Sequence, residues 1–180
     1  MLEQFMNKEE GCESDVMIVG GIANVGKSRW ILSCLGRVTR PIYYISTDMS
    51  SKLLKRYLEN AGCKMEESGG NIVSCAGIYD SSLYDVAAAM ITDRRDVMYI
   101  FDTASYMKRD ILPGMNFIRK KIEELDINVL FVLHYTKKNE LVDDTKCLAR
   151  QADLIVQMTD MNSVYIRKSR YAYPPKDVKM

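Results

Sequence analysis

The most informative stretch of the sequence is Gly21-Ile22-Ala23-Asn24-Val25-Gly26-Lys27-Ser28. It satisfies every fixed position of the pattern G-x-x-x-x-G-K-[ST], in which glycines let backbone N–H groups turn inward and cradle phosphate oxygens. The apolar run at 16–19 predicts a buried strand before it, and the segment that stops at Gly36 predicts a helix after it. A strand, a glycine-rich turn and a helix in this order predict a phosphate-binding loop.

The residues of this loop predict its ligands. We expect Lys27, exposed at the loop, to reach the β- and γ-phosphates of a nucleoside triphosphate, and Ser28 to offer its hydroxyl to Mg²⁺. The helix that starts near Lys27 directs the positive end of its dipole at the same anion. The predicted nucleotide-binding set is Gly21, Ile22, Ala23, Asn24, Val25, Gly26, Lys27, Ser28 and Arg29. ATP and Mg²⁺ are therefore the expected ligands, and the alternative is a glycine-rich turn with an incidental lysine.

Strand and helix patterns alternate along the rest of the chain. Further strands are predicted at 41–45, 71–75, 97–102 and 127–133, and helices at 50–58, 81–93 and 115–125. Repeated strand–helix units predict an α/β fold with a mostly parallel twisted sheet and helices on both faces. A strand at 152–158 and its partner at 164–168 predict an antiparallel C-terminal hairpin with a turn at 160–163.

The helix at 50–58 allows a more detailed prediction. Ser50 can cap its first turn. Its apolar positions are spaced so that they share one face: Leu53, Leu54, Tyr57 and Leu58.

Length, composition and charge fit one intracellular domain. The 180 residues are 47% hydrophobic, which is enough for a proper core. A net charge of +1 argues against a chain whose main task is to bind polyanions. The five cysteines are scattered without a C-x-x-C pair, which favours a reducing compartment over disulfides or zinc. Since neither a signal peptide nor a membrane-length apolar run is visible, we expect a cytoplasmic protein with no membrane partner.

A phosphate-binding loop needs a further acid to order the Mg²⁺ shell. Asp102 follows the apolar run Met98-Tyr99-Ile100-Phe101. Because parallel strands end at the same edge of a sheet, its carboxylate is predicted to lie beside the loop, in the Walker B position. Ser28 and Asp102 are the predicted metal-binding residues. The alternative is an aspartate that only caps the next element.

Several further segments resemble the RecA-like ATPase domain of DnaB-type replicative helicases. Ile45-Ser46-Thr47-Asp48-Met49-Ser50 is similar to the family's Ser-Leu-Glu-Met-Ser segment, whose glutamate polarises the attacking water. Asp48 stands at that position, and the alternative is an acid at the start of a helix. His134 ends a strand where the family has a polar sensor that touches the γ-phosphate. Gln151-Ala152-Asp153-Leu154-Ile155 resembles the family's Gln-Asp-Ala-Asp-Leu-Ile stretch.

A late basic segment extends this resemblance. Ile166-Arg167-Lys168-Ser169-Arg170-Tyr171 is similar to the family's Lys-Gln-Arg segment and to Lys-Asn-Arg in RadA and KaiC relatives. The resemblance implies that Lys168 and Arg170 reach across a subunit interface to a neighbour's γ-phosphate. Residues two apart on a strand point the same way, which suits a paired clamp on one anion. The alternative is a solvated basic edge strand.

The resemblance covers 14–174, with 1–13 as an N-terminal arm and 175–180 as a C-terminal tail. It implies Mg²⁺-dependent ATP hydrolysis by a homo-oligomeric ring or filament that acts in DNA replication or recombination. Tyr106-Met107-Lys108-Arg109 and Tyr135-Thr136-Lys137-Lys138 place an aromatic residue beside paired bases, a combination that suits single-stranded DNA. Two ordinary solvated loops are the alternative.

Two other functions stay open at this point. Many small-molecule kinases for nucleotides or cofactors carry the same loop, and Arg94, Arg95 and Arg109 would then be phosphate clamps. The third function is an ATP-binding helicase partner that does not hydrolyse ATP. It is favoured by Asp48, which is one methylene shorter than the family's glutamate.

Overall fold

One β-sheet with helices on both faces organises the chain. The computed structural model describes residues 2–8, 15–78, 82–107, 109–138, 145–160, 163–170 and 177–179. The strands are β1 Val16–Gly21, β2 Ile42–Ser46, β3 Ile72–Gly77, β4 Met98–Asp102, β5 Asn128–His134, β6 Leu154–Asp160, β7 Ser163–Ser169 and β8 Asp177–Lys179. The α-helices are α1 Leu2–Asn7, α2 Lys27–Leu35, α3 Ser51–Asn60, α4 Leu83–Met90, α5 Ile111–Leu125 and α6 Lys146–Gln151, and Glu66–Ser68 and Ala104–Tyr106 form 3-10 turns.

The order of the strands brings the predicted site residues to one edge. Across the sheet the order is β3-β2-β4-β5-β1-β6-β7-β8. The first six of these are parallel to one another, while β7 and β8 pair antiparallel. We call the edge at which β1, β2, β4 and β5 end, with Gly21, Ser46, Asp102 and His134, the carboxyl edge, and the opposite edge the amino edge. The predicted α/β fold with a mostly parallel sheet and an antiparallel C-terminal hairpin is confirmed.

The core lies in two layers, one on each face of the sheet. Along β1, Met17 and Val19 belong to one apolar cluster, and Val16 and Ile18 belong to the other. Helices α1, α2 and α3 cover the first cluster, and α4, α5 and α6 cover the second. Because both faces are covered, the central strands are continuous apolar runs instead of alternating ones.

Helix α5 begins earlier than the predicted residue 115. It starts at Ile111, so that Pro113 lies in its first turn, where a missing N–H costs no helical hydrogen bond. Gly114 allows α5 to approach α4 closely, since a Cβ there would lie 2.7 Å from Leu83 Cγ. Helix α4 is shorter than predicted and starts after its cap Ser82, whose Oγ accepts a hydrogen bond from an N–H in the first turn.

The predicted cap of helix α3 is confirmed, and its predicted apolar face is buried only in part. Ser50 Oγ accepts a hydrogen bond from Leu53 N at 3.3 Å. Leu54 and Leu58 are buried, but Leu53 and Tyr57 are 42% and 50% exposed. Each exposed residue precedes a buried one by one position, and about 100° of helical rotation turns it toward solvent.

Both ends of the chain contribute to the fold. In the predicted N-terminal arm, Leu2, Phe5 and Met6 of α1 are buried in the core. In the predicted tail, β8 pairs with β7, an addition that the sequence patterns did not predict. The predicted limits at 13/14 and 174/175, the turn residues 161–162, Lys108 and Tyr171 lie outside the described residues. A membrane-crossing helix would need more length and more apolar character than any described helix has.

Candidate nucleotide-binding site

Close packing requires the glycines at the start of the loop. A Cβ on Gly20 would lie 2.2 Å from the Tyr135 ring, and one on Gly21 would lie 2.7 Å from the Met158 carbonyl oxygen. Gly26 has a φ of 95° and occupies the N-cap position of α2. A side chain at Gly26 would be strained in this left-handed conformation. The loop therefore turns directly from β1 into α2, as the pattern predicts.

Lys27 is buried, which contradicts the expectation that it is exposed. Its side chain is only 4% exposed. The ammonium donates hydrogen bonds to the carbonyl oxygens of Gly21 at 3.0 Å and Ile22 at 2.8 Å, and Nζ lies 3.3 Å from His134 Nδ1. The loop curves around the ammonium and supplies the acceptors that replace water. Burial lowers the pKa of Lys27 to about 8, although the charges of Asp102 and Asp48 oppose this shift.

Asp102 lies at the carboxyl edge, fully buried at the end of β4, beside the loop as predicted. Its Oδ2 accepts a hydrogen bond from Tyr44 Oη at 2.5 Å, and its Oδ1 accepts one from Thr103 Oγ1 at 3.2 Å. Burial raises the pKa of the Asp102 carboxyl, while hydrogen bonds from Tyr44 and Ser28 act in the opposite direction. The structure therefore brings the two predicted metal-binding residues, Ser28 and Asp102, into contact.

Oxygen ligands of this kind fit Mg²⁺. The described residues contain no cluster of three or more His, Cys, Asp or Glu side chains that could hold a metal alone. A site at Ser28 and Asp102 would therefore share the ion with nucleotide phosphates and water. Mg²⁺ is commonly bound in this way, through one or two carboxylates together with substrate phosphates.

Asp48 lies beyond the end of β2 and is exposed. Ser46 Oγ donates a hydrogen bond to Asp48 Oδ1 at 2.8 Å and accepts one from Met49 N at 3.2 Å, so Ser46 orients the carboxylate. The cap of α3 is Ser50 instead of Asp48. The Asp48 charge acts on Lys27 and on His134, which places the carboxylate near both groups.

His134 ends β5 directly opposite Gly21 of β1. Its backbone N–H donates a hydrogen bond to Ser105 Oγ at 2.7 Å. Burial and the nearby charge of Lys27 lower the pKa of His134, so the ring is neutral at pH 7. Because an ammonium only donates hydrogen bonds, Nδ1 is the acceptor in the contact with Lys27. His134 therefore lies where a polar sensor was predicted.

A cavity of about 820 Å³ opens between α2 and α3 beside these groups. It is lined by Ser28, Arg29, Leu32, Ser33, Asp48, Met49, Tyr57, Asn60 and Ala61. Arg29, included in the predicted nucleotide-binding set, is exposed and faces this cavity, next to the predicted metal-binding Ser28. The loop residues Ile22, Ala23 and Asn24 are also exposed, whereas Val25 is buried.

Lys168 and Arg170 lie at the amino edge, away from the loop of their own chain. Lys168 Nζ donates hydrogen bonds to the carbonyl oxygens of Ala149 and Arg150 at 3.0 Å each, and the Arg170 guanidinium donates one to Arg150 at 3.3 Å. The two side chains therefore point the same way, as the spacing predicts. Arg170 also forms an ion pair with Asp153 at 3.1 Å. Burial and the charge of Arg170 lower the pKa of Lys168.

Asp153 connects several segments at the amino edge. It is 3% exposed, and its carboxylate accepts hydrogen bonds from Val16 N at 2.9 Å and from Arg119 at 2.9 Å and 3.2 Å. Arg119 and Arg170 thus neutralise the buried carboxylate of Asp153, which lies beside the start of β1. Arg170 has a structural partner in its own chain in addition to any role toward a neighbour.

Two sequence-based hypotheses about other residues are corrected by the structure. Arg94 pairs with Glu66 at 2.6 Å and Arg95 donates a hydrogen bond to the Glu124 carbonyl at 2.8 Å. Both arginines precede β4 and lie at the amino edge, so they are not phosphate clamps for the loop. Tyr135 is 9% exposed because its ring covers Gly20, and it is not available to stack on a base.

Sequence reasoning missed two residues of the site. Tyr44 and Ser46 lie on β2 and hydrogen-bond to Asp102 and Asp48 respectively. In the sequence, Tyr44 is indistinguishable from the other aromatic residues of a buried strand. A signal was nevertheless present, since Ser46 ends the strand two residues before the exposed acid.

Comparisons with known proteins show the fold. No protein-family model and no curated protein sequence matches the chain. The solved structure of flagellar accessory protein FlaH from Methanocaldococcus jannaschii is similar, with a TM-score of 0.64 and 14% sequence identity over 92% of this chain and 89% of that one. The fold is RecA-like. At this identity the likeness is one of architecture, and the narrower resemblance to DnaB-type helicases rests on the sequence motifs.

Proposed function

We propose that the protein binds ATP together with Mg²⁺ at the carboxyl edge and hydrolyses it. Five polar side chains from three neighbouring strand ends and one helix start converge at this edge, and this observation carries the proposal. They are Lys27, Ser28, Asp48, Asp102 and His134. The RecA-like fold, which is that of a nucleotide-binding ATPase, supports the same assignment.

The loop would bind the phosphates through its backbone and through Lys27. At pH 7 the Lys27 ammonium is mostly charged, because its pKa of about 8 lies above that pH. Its present acceptors are neutral carbonyl oxygens, and a phosphate oxygen is a stronger partner for an ammonium. Ser28 and Asp102 would hold Mg²⁺, which neutralises phosphate charge when bound.

Asp48 would orient and deprotonate the attacking water. It is an exposed acid just beyond the end of β2, and Ser46 fixes one of its oxygens at 2.8 Å. His134 lies 3.3 Å from Lys27 and is therefore positioned to respond when Lys27 turns to a γ-phosphate. Asp48 has a shorter reach than the glutamate of the family that the sequence resembles, so slow turnover is expected.

An oligomer follows if Lys168 and Arg170 contact phosphate. Both lie at the amino edge, whereas the loop lies at the carboxyl edge of the same sheet. Each could then reach a γ-phosphate only on a second copy of the chain whose carboxyl edge faces this amino edge. Such a head-to-tail contact uses two different surfaces and generates a ring or a filament. Arg170 would have to exchange part of its contact with Asp153 for the phosphate.

A role in DNA replication or recombination rests on the resemblance to DnaB-type helicases. Lys137 and Lys138 are exposed after β5 and are candidates for contact with the backbone of single-stranded DNA. The deciding experiment measures ATP turnover with and without single-stranded DNA, together with the oligomeric mass in both conditions. We expect Mg²⁺-dependent turnover, stimulation by the DNA and a mass of several subunits. A monomer with full activity would contradict the oligomer, and turnover indifferent to DNA would contradict the DNA role.

A small-molecule kinase is the second candidate, and the cavity between α2 and α3 favours it. Its volume of about 820 Å³ falls within the range of small-molecule sites. Asp48 lines it and could take a proton from an acceptor hydroxyl instead of from water. Labelled γ-phosphate that appears on a nucleoside or on cobinamide would select the kinase. Tight ATP binding without release of phosphate would instead select a non-hydrolysing helicase partner.

A further inference from the structure

Tyr44 of β2 reaches across to the acid at the end of β4. Tyr44 pairs in register with Ile100, two residues before Asp102, and all three lie on one face of the sheet. Two residues along a strand span about 6.6 Å, a length that a tyrosine ring and its hydroxyl can bridge. Tyr44 Oη accordingly lies 2.5 Å from Asp102 Oδ2, and both side chains are 0% exposed.

The hydroxyl of Tyr44 is not needed to fill space at this position. Phenylalanine would fill the same space within an apolar cluster, so the hydroxyl contributes the hydrogen bond to Asp102 and little else. The carboxylate also contacts Thr103 through Oδ1, at 3.2 Å, and Ser28. A carboxylate held on both oxygens cannot rotate without breaking a buried hydrogen bond, and a buried donor or acceptor left unpaired is costly.

We propose that Tyr44 is a positioning residue for the metal site: its hydroxyl holds Oδ2 of Asp102, so that the carboxylate keeps the orientation in which it meets Ser28 and Mg²⁺. The inference rests on the proposed ATP-binding function and adds a residue to it. Partners of metal ligands of this kind typically change metal affinity by about 10- to 100-fold when they are removed. The same loss is expected here when the Tyr44 hydroxyl is removed.

The test compares Tyr44→Phe with Tyr99→Phe. Tyr99 is also buried, but its hydroxyl accepts a hydrogen bond from Thr92 N at 3.1 Å, away from the loop. Equilibrium binding of a fluorescent, non-hydrolysable ATP analogue is titrated with Mg²⁺ in both variants and in the unsubstituted protein. We expect Tyr44→Phe to need about 10- to 100-fold more Mg²⁺ for half-maximal enhancement of binding, with its affinity in EDTA within about threefold of the unsubstituted protein. Tyr99→Phe should keep the original Mg²⁺ requirement.

The outcomes separate this inference from the proposed function. If the unsubstituted protein does not bind the analogue, the proposed function fails and the role of Tyr44 falls with it. If Tyr44→Phe binds the analogue with the original Mg²⁺ requirement, Tyr44 only stabilises the fold and the inference alone is overturned. An equal shift in Tyr99→Phe would also overturn it, because the effect would then be a general consequence of a lost buried hydroxyl.

A second measurement keeps the test valid if Tyr44→Phe does not fold. 3-Fluorotyrosine is placed at position 44 or at position 99, and the fluorine resonance is recorded in the complex with the analogue before and after Mg²⁺ is added. We expect the resonance at position 44 to shift and the one at position 99 to stay. No shift at position 44, in a complex shown to bind Mg²⁺, would overturn the inference.

Discussion

Lys27 carries a positive charge inside the protein, and Lys27→Met tests how much that burial costs. The pKa of Lys27 falls from 10.5 to about 8 on folding. The unfolded chain therefore binds more protons than the folded protein between about pH 8 and pH 10.5, so the free energy of unfolding rises with pH across this window. The fall of the pKa from 10.5 to about 8 corresponds to a penalty of about 3 kcal/mol on the folded state, which is complete below pH 8 and absent above pH 10.5.

Methionine keeps most of the buried stem and removes the charge. As the pH rises from 7 to 10.5, the unsubstituted protein should regain about 3 kcal/mol at this position, whereas Lys27→Met has no charge to lose. The stability advantage of Lys27→Met over the unsubstituted protein should therefore fall by about 3 kcal/mol. Urea unfolding at several pH values measures this difference. Lys120→Met removes a lysine whose side chain is 73% exposed and should show no such trend. A difference for Lys27→Met that stays constant across the window would refute the reasoning, because the Lys27 charge would then cost the folded state nothing.

The remaining predictions concern turnover. Asp102→Asn should lower Mg²⁺-dependent turnover far more than it lowers thermal stability. If hydrolysis depends on the Mg²⁺ concentration in the same way in the variant, Asp102 only caps the next element. Asp48→Asn should bind ATP but hydrolyse it ~10²-fold or more slowly, and Asp48→Glu should raise the rate; normal hydrolysis by Asp48→Asn would place the base elsewhere. Arg170→Ala should bind ATP and lose ~10³-fold in turnover, whereas Arg119→Ala, which removes the other arginine beside the same aspartate, should keep its turnover. Equal losses would assign Arg170 a structural role. Oligomers that are shown to contain both the Arg170→Ala and the Lys27→Ala protein should recover some activity, because some of their interfaces would combine an intact loop with an intact Arg170. No recovery would argue against action across an interface.

Strand ends explain why much of the site could be predicted from the sequence. Asp102 and His134 each close an apolar run, and the ends of parallel strands meet at one edge whatever the details of packing. The loop pattern fixes Lys27 and Ser28 within that edge. Local patterns were therefore sufficient for the positions of these four residues.

Contacts between distant segments explain what could not be predicted. The burial of Lys27 depends on how the loop carbonyls curve around its ammonium, and no local pattern reports this. The bond from Tyr44 to Asp102 depends on the register between β2 and β4. The predicted antiparallel hairpin of β6 and β7 places Lys168 and Arg170 at the amino edge. Their contacts with the carbonyl oxygens of α6 and with Asp153 depend on packing between segments and could not be predicted.

ATP binding and turnover by Lys27→Ala test the central claim most directly. Lys120→Ala serves as the control, since it removes an equal charge from an exposed position on α5. Equilibrium binding of ATP and release of phosphate in Mg²⁺ are measured for both variants and for the unsubstituted protein, after unfolding curves have shown that each variant is folded. We predict that the unsubstituted protein and Lys120→Ala bind and hydrolyse ATP and that Lys27→Ala does neither. ATP affinity and hydrolysis that are the same in Lys27→Ala as in the unsubstituted protein would contradict the account.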